Sequence, residues 1–244
     1  MQYPLISEYV DAIRSAEDNF DKLNGLRPVL DNSGNPVMSS GNFAVVFKMK
    51  DVKIGKLYAV KCFTREQEGR AEAYKQISEA ISNIDKSSYL LSVTYYEKEL
   101  FVDSTQTDET EFPVLLMDWV DGLSLDAYTN KISDNKIKLE QLADNFQELV
   151  CWLLMQSLAH GDLKPDNILV KDDGSIILLD YDGMYVPSMA GQFSRENGTP
   201  FYKHPLMKKT DFNSHIDDYA ALKILLILKA MAVEYQYYDA FLKD

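Results

Sequence analysis

Cysteine is almost missing from this chain: Cys62 and Cys151 are its only two. Both sit in apolar stretches, so they read as reduced core residues of a cytoplasmic protein, not as a disulfide or a thiolate metal site. Basic residues are short as well, 25 Lys and Arg against 38 Asp and Glu, for a formal charge of −13. A nucleic-acid or anionic-membrane surface needs clustered Lys and Arg. Neither partner is expected, and the surplus acid reads as a device for solubility. The longest apolar run, near 220–233, is broken by Lys223 and Lys229. No membrane span is therefore predicted. The sequence opens without a signal-peptide pattern and shows no internal repeat or low-complexity tract.

With 244 residues and 46% apolar content, the chain can build one or two ordinary domains. Residues 4–23 read as one amphipathic helix, with Ile6, Val10, Ile13 and Phe20 at near-helical spacing. Its expected role is a packing accessory. Turn formers crowd the stretch 27–36. Residues 37–63 read as three strands, VMSSGNFAVVFKMK giving two and KLYAVKCF the third, where alternation puts Ala59 and Lys61 on one face. Thr64 to Ile84 predicts a helix striped by Tyr74, Ile77, Ile81 and Ile84. A strand pair is expected over 89–102 and 112–118. A strongly periodic core helix is expected over 138–159, with Trp152 and Met155 in the core. HIDDYAALKILLILKAMA reads as a buried central helix.

The densest chemistry lies in HGDLKPDNILV, His160 to Val170, and in LLDYDG, which ends at Gly183. Ile168 to Val170 and Ile176 to Leu179 read as short strands joined by the Asp-Asp-Gly turn at 172–174. The hairpin presents Asp162, Lys164 and Asn167 beside Asp180. Two carboxylates, an amide and an ammonium suit magnesium and phosphate. A hard cation takes oxygen from one or two carboxylates and completes its shell from the substrate's phosphates. The plain alternative is a hairpin with scattered surface charges.

These stretches resemble the protein-kinase catalytic loop, H-R-D-L-x-x-x-N followed by D-F-G. Gly161 replaces the Arg, and the thirteen-residue step from Asn167 to Asp180 fits. The resemblance implies an α+β, bilobal kinase-like fold, a small antiparallel sheet plus one helix over a mostly helical lobe that is shortened at its C-terminal end. Residues 1–36 would be a helical extension, 37–120 the N-lobe and 121–244 the C-lobe. It implies ATP and Mg2+. Asp162 would accept the hydroxyl proton, Lys164 steady the γ-phosphate, Asn167 and Asp180 hold the metal, and Leu169 floor the adenine. His160 would be a structural loop residue, with Gly198 and Thr199 in support of the loop or substrate. On the sheet, Ala59 and Lys61 match the A-x-K strand, Lys61 holding the α- and β-phosphates. Phe43 would be the tip of the Gly-rich loop and Val46 the adenine cover. That loop departs from the family, with Ser39, Gly41 and Ala44 where three glycines are usual, so only Gly41 allows close backbone approach. LLMDWVDG resembles the hinge, with Met117 at the back pocket and the Asp118 carbonyl and Val120 amide on the adenine edge.

The partner acid of Lys61 is expected on the helix after it. Glu72 and Glu79 share a face, and Glu72 is preferred because EGRAEAYKQI resembles a bacterial kinase-like subgroup, one with an HGD loop, that carries an acid just before this tyrosine. Either could equally be a solvated charge. Asp217 is a better match than Asp218 for the acid that braces the catalytic loop. GTPFYKHP resembles the end of the activation loop, with Leu206 in place of the expected Glu. Asp182, in place of the usual Gly, has no explanation.

The function implied is a Ser/Thr-type protein kinase with an unidentified protein substrate. Gly161 removes the arginine that would sense a phosphorylated activation loop, so activity should not depend on that phosphate. HGD also resembles aminoglycoside phosphotransferases, which makes a small-molecule kinase the second reading. A nucleotide-binding pseudokinase scaffold is the third.

Overall fold

The computed structural model describes residues 2–41, 43–84, 88–196 and 198–234. The chain divides into two compact units. One comprises Met1–Ser78 and Ser92–Val120, the other Glu79–Leu91 and Asp121–Asp244.

The first unit begins with two helices, α1 (Ile6–Arg14) and α2 (Ala16–Asn19). The single helix expected over 4–23 is thus interrupted at Ser15, whose φ of −108° and ψ of 44° leave the helical region. An antiparallel sheet follows, built from β1 (Leu26–Pro28), β2 (Met38–Ser40), β3 (Ala44–Asp51) and β4 (Leu57–Phe63). After helix α3 (Arg70–Ser82), β5 (Val93–Phe101) and β6 (Glu111–Asp118) complete it. The strand order is β1-β3-β4-β6-β5, with β2 pairing on β3. Strand alternation sorts β3 cleanly. Val45, Phe47 and Met49 are fully buried in one cluster with Tyr9, Ile13 and Phe20 from the N-terminal segment. Burying each such side chain contributes roughly 1.5–3 kcal/mol, so these helices are integral to the sheet's core. Tyr9 Oη also donates to the carbonyl of Phe63 at 2.7 Å.

Helix α3 starts at Arg70, not at Thr64. The chain first turns through Gly69, whose φ of +72° suits glycine. Tyr74 then stacks on Tyr95 from β5, with ring centres 5.9 Å apart, and lies against Phe63 at 6.3 Å.

The second unit holds a three-stranded sheet, β7 (Leu123–Ser124), β8 (Ile168–Val170) and β9 (Ile176–Leu178), in the order β7-β8-β9. The 172–174 turn joins β8 and β9 into the expected hairpin. Helices α4 (Leu125–Lys131) and α5 (Lys136–Leu154) pack against it, and α6 (Asp218–Val233) packs on α5. Leu139, Leu142, Phe146, Leu149 and Leu153 form the buried stripe of α5. The helix stops at Leu154, short of the expected 159. Met155 is 76% exposed, outside the core, and Trp152 is half-buried against Tyr89. Cys151 also faces solvent, whereas Cys62 is fully buried. The connector after α3 is fastened to the hairpin: Leu178 N–H donates to the Tyr89 carbonyl at 2.8 Å. Among the described residues, no helix is long and apolar enough to cross a membrane.

Candidate active site

In the second unit the loop from His160 is held by its backbone. Buried Asp217, at the start of α6, accepts from the Gly161 N–H at 2.9 Å and from the His160 N–H. Asp218 instead contacts His215, so Asp217 is the brace. The His160 ring is buried and places Nε2 2.7 Å from the Leu179 carbonyl, as a structural loop residue should. Gly161 has a φ of +85°, and a Cβ there would stand 1.8 Å from the Gly183 oxygen. The position opposite the carbonyl of Gly183 therefore has room only for glycine.

Asp162 lies at the centre of this loop. Its Oδ1 accepts from the Thr199 N–H at 2.9 Å and the Thr199 hydroxyl at 3.0 Å. Its Oδ2 lies 2.7 Å from Lys164 Nζ and accepts from Asn167 Nδ2 at 3.2 Å. Burial would raise the carboxyl's pKa, but the Lys164 ammonium and the Thr199 hydroxyl outweigh it and hold the group below its ordinary value. Asp162 is thereby both oriented and ionised. Asn167 is buried, donates to the Asp162 carbonyl at 2.8 Å, and receives the Leu179 N–H on its own carbonyl at 2.8 Å. Leu169 is half-buried between the buried Ile168 and Val170 of β8. Asp180 follows β9 in a left-handed conformation, φ 66° and ψ 81°. Asp182 is buried, and its carbonyl accepts from Arg195 Nη2 at 3.4 Å.

In the first unit Lys61 is only 6% exposed. It pairs across the sheet with Val46 on β3 and Leu115 on β6, with its Nζ 5.6 Å from the centre of the Phe63 ring. Ala59, two residues away on the same face, pairs with Met117, which is also buried. These four sequence-predicted residues, Val46, Ala59, Lys61 and Met117, form one patch. The stretch expected to be the hinge leaves β6 at Asp118, whose carboxylate meets Lys56 at 2.7 Å, and the Trp119 N–H donates to the Leu57 carbonyl. Val120, next along, is half-buried. Gly41 donates its N–H to the Ala44 carbonyl, and Phe43 is exposed with Arg65 5.3 Å above its ring. Glu72 and Glu79 are both exposed on α3, and Glu72 accepts from Gln76 at 3.0 Å. The buried charge on that helix is Arg70, whose guanidinium lies 4.0 Å over Phe63 and donates to the Arg65 carbonyl at 2.8 Å.

Asn167 spends its amide nitrogen on Asp162, which leaves its oxygen for a cation, and the Asp180 carboxylate follows at the end of the hairpin. Two oxygen donors of this kind fit magnesium, which keeps several waters and takes the rest from phosphate. Among the described residues, no group of three or more His, Cys, Asp or Glu side chains is placed to hold a metal ion. The family model for the protein kinase domain matches residues 35–238. The chain belongs to that family. Its relatives include CBL-interacting serine/threonine-protein kinase 19 of Arabidopsis thaliana, 25% identical over 202 residues, or 80% of this chain and 40% of that protein. Serine/threonine-protein kinase CG17528 of Drosophila melanogaster is 27% identical over 203 residues, 79% of this chain and 25% of that protein. The kinase domain thus spans less than half the length of these relatives.

Three residues of this kinase domain escape the sequence reading: Arg70, Tyr181 and Arg195. Arg70 and Arg195 donate to backbone carbonyls, and the Tyr181 hydroxyl bonds a carbonyl and an amide. Backbone partners leave no side-chain pattern to read.

Proposed function

We propose that this kinase domain is an ATP- and Mg2+-dependent phosphotransferase that passes the γ-phosphate to a Ser or Thr hydroxyl of a protein. The observation that carries it is Asp162, an ionised carboxylate fixed by Lys164, Asn167 and Thr199. The acceptor oxygen attacks the γ-phosphorus, the bond to the β,γ-bridging oxygen breaks, ADP departs, and Asp162 takes the hydroxyl proton. A positioned base of this type contributes ~10²–10⁴-fold. Lys164 steadies the transferring phosphoryl group, and Lys61 binds the α- and β-phosphates with Glu72 as its partner acid. Asn167 and Asp180 hold magnesium, which when bound neutralises charge on the phosphates. In the first unit Val46, Ala59 and Met117 are adenine contacts, with the Asp118 carbonyl and Val120 N–H for its edge and Gly41 and Phe43 for the phosphates; in the second unit Leu169 is the adenine contact.

The lobe assignment, 37–120 and 121–244 with 1–36 as an extension, belongs to the same proposal. So do a cytoplasmic location, the lack of a nucleic-acid partner and membership of a bacterial kinase-like subgroup, the last supported by Gly161 and EGRAEAYKQI. The test offers labelled ATP with protein acceptors and small alcohols or amines side by side. Label should reach protein hydroxyls, and Asp162→Asn should abolish transfer while nucleotide still binds. Label on the small acceptors alone would instead support a metabolite kinase. Nucleotide binding without any transfer, indifferent to Asp162→Asn, would mark a scaffold.

A further inference from the structure

Asp180 is the only non-glycine residue with a positive φ among those described. A left-handed conformation is sparsely populated for a residue with a side chain, and it persists where the surroundings over-determine it. The fastening comes from both sides. Before Asp180, Leu179 is held by its N–H on the Asn167 carbonyl and by its own carbonyl beside His160 Nε2. After it, Tyr181 is 1% exposed. Its hydroxyl donates to the Leu178 carbonyl at 2.9 Å and accepts from the Leu91 N–H at 2.8 Å. The first bond closes residues 178–181 into a ring around Asp180, and the second ties that ring to the connector after α3. The Met184 N–H on the Tyr181 carbonyl, at 3.0 Å, fixes the following turn. The His160 ring stands edge-on to Tyr181 at 6.0 Å. Where the resembling D-F-G motif has a Phe, this chain has a hydroxyl with two backbone partners.

We propose that Tyr181 is a positioning residue whose hydroxyl latches Asp180 in its left-handed conformation and so sets the carboxylate for the metal. The inference rests on the assignment of Asp180 as a metal ligand. Tyr181→Phe keeps the ring and its packing but removes both bonds, and leaves the Leu91 N–H and Leu178 carbonyl without the hydroxyl. Asp180 then loses the fastening that the Tyr181 hydroxyl gives it.

The test measures binding of a non-hydrolysable ATP analogue by calorimetry, with and without millimolar Mg2+, in the wild-type chain, Asp180→Asn and Tyr181→Phe. The wild type should show a Mg2+-dependent gain in affinity, and Asp180→Asn should lose most of it. Tyr181→Phe should lose about tenfold of that gain while metal-free binding stays within about twofold. A Tyr181→Phe chain that melts earlier yet keeps the full gain overturns the latch and leaves the metal assignment standing. A wild type with no such gain, matched by Asp180→Asn, overturns both. Should Tyr181→Phe fail to fold, hydrogen exchange at the Leu91 amide of the wild-type chain reads the bond directly: protection supports the latch, and exchange at the unprotected rate overturns it.

Discussion

Asp162 shows at the residue scale how one carboxylate is kept ready. Burial works against its charge, and the Lys164 ammonium 2.7 Å away works for it. The ammonium is the main group favouring the charge, so in Lys164→Met the Asp162 pKa should rise. Proton acceptance needs the ionised form, which is lost as pH falls through the pKa. The acid limb of the kcat/KM profile should therefore move to higher pH in Lys164→Met, and a pH–rate series checks it. The spacing of Asp162, Lys164 and Asn167 was legible because all three lie within one loop whose turn chemistry repeats a known pattern. Gly161 was legible as a missing arginine. The reason for it, a carbonyl of Gly183 standing where a Cβ would go, depends on a residue twenty-two positions later and could not be read. Arg70 was hidden for a similar reason. Its partners are two aromatic faces and a carbonyl, none of which a charge pattern reveals.

Elements were legible where apolar periodicity is strong and less so where they begin and end. The stripe of α5 and the alternation of β3 follow from burial of one face. The ends were set by backbone geometry instead, at Ser15 before α2 and at Gly69 before α3. In the segment between the hairpin and α6, GTPFYKHP was legible as resembling the end of an activation loop, and the structure shows how that end is fastened. Lys223 of α6 donates to the Phe201 carbonyl at 2.8 Å and sits 3.2 Å from the centre of the Phe201 ring. Leu206, where the family expects Glu, is 79% exposed and takes no part in that contact. A cation over an aromatic face contributes about 0.5–1 kcal/mol at an exposed site. Lys223→Met should thus leave global melting almost unchanged while amide exchange at 199–204 quickens and KM for a protein acceptor rises. Hydrogen-exchange mass spectrometry with steady-state kinetics checks both.

The whole molecule should respond to its nucleotide as a single ligand-binding protein. At a hundredfold the dissociation constant, Mg2+ with ATP should stabilise the folded chain by ~2.7 kcal/mol. For a chain of this length that is a rise of about 5–10 °C in melting temperature. Asp180→Asn should forfeit most of the Mg2+-dependent part, and a scanning-fluorimetry titration checks it. The chain passes from one compact unit to the other after Ser78, after Leu91 and after Val120. Residues 79–91 are the cause, because the Tyr89 carbonyl and Leu91 N–H bond to Leu178 and to Tyr181. Cutting the gene after codon 120 therefore would not yield two self-sufficient proteins. The shorter product would carry away a strip that its sibling needs, and the sibling would be left with unanswered polar groups along its hairpin. Fission at that point would leave two halves that must be made together, while a fusion partner added at either terminus would sever none of these bonds.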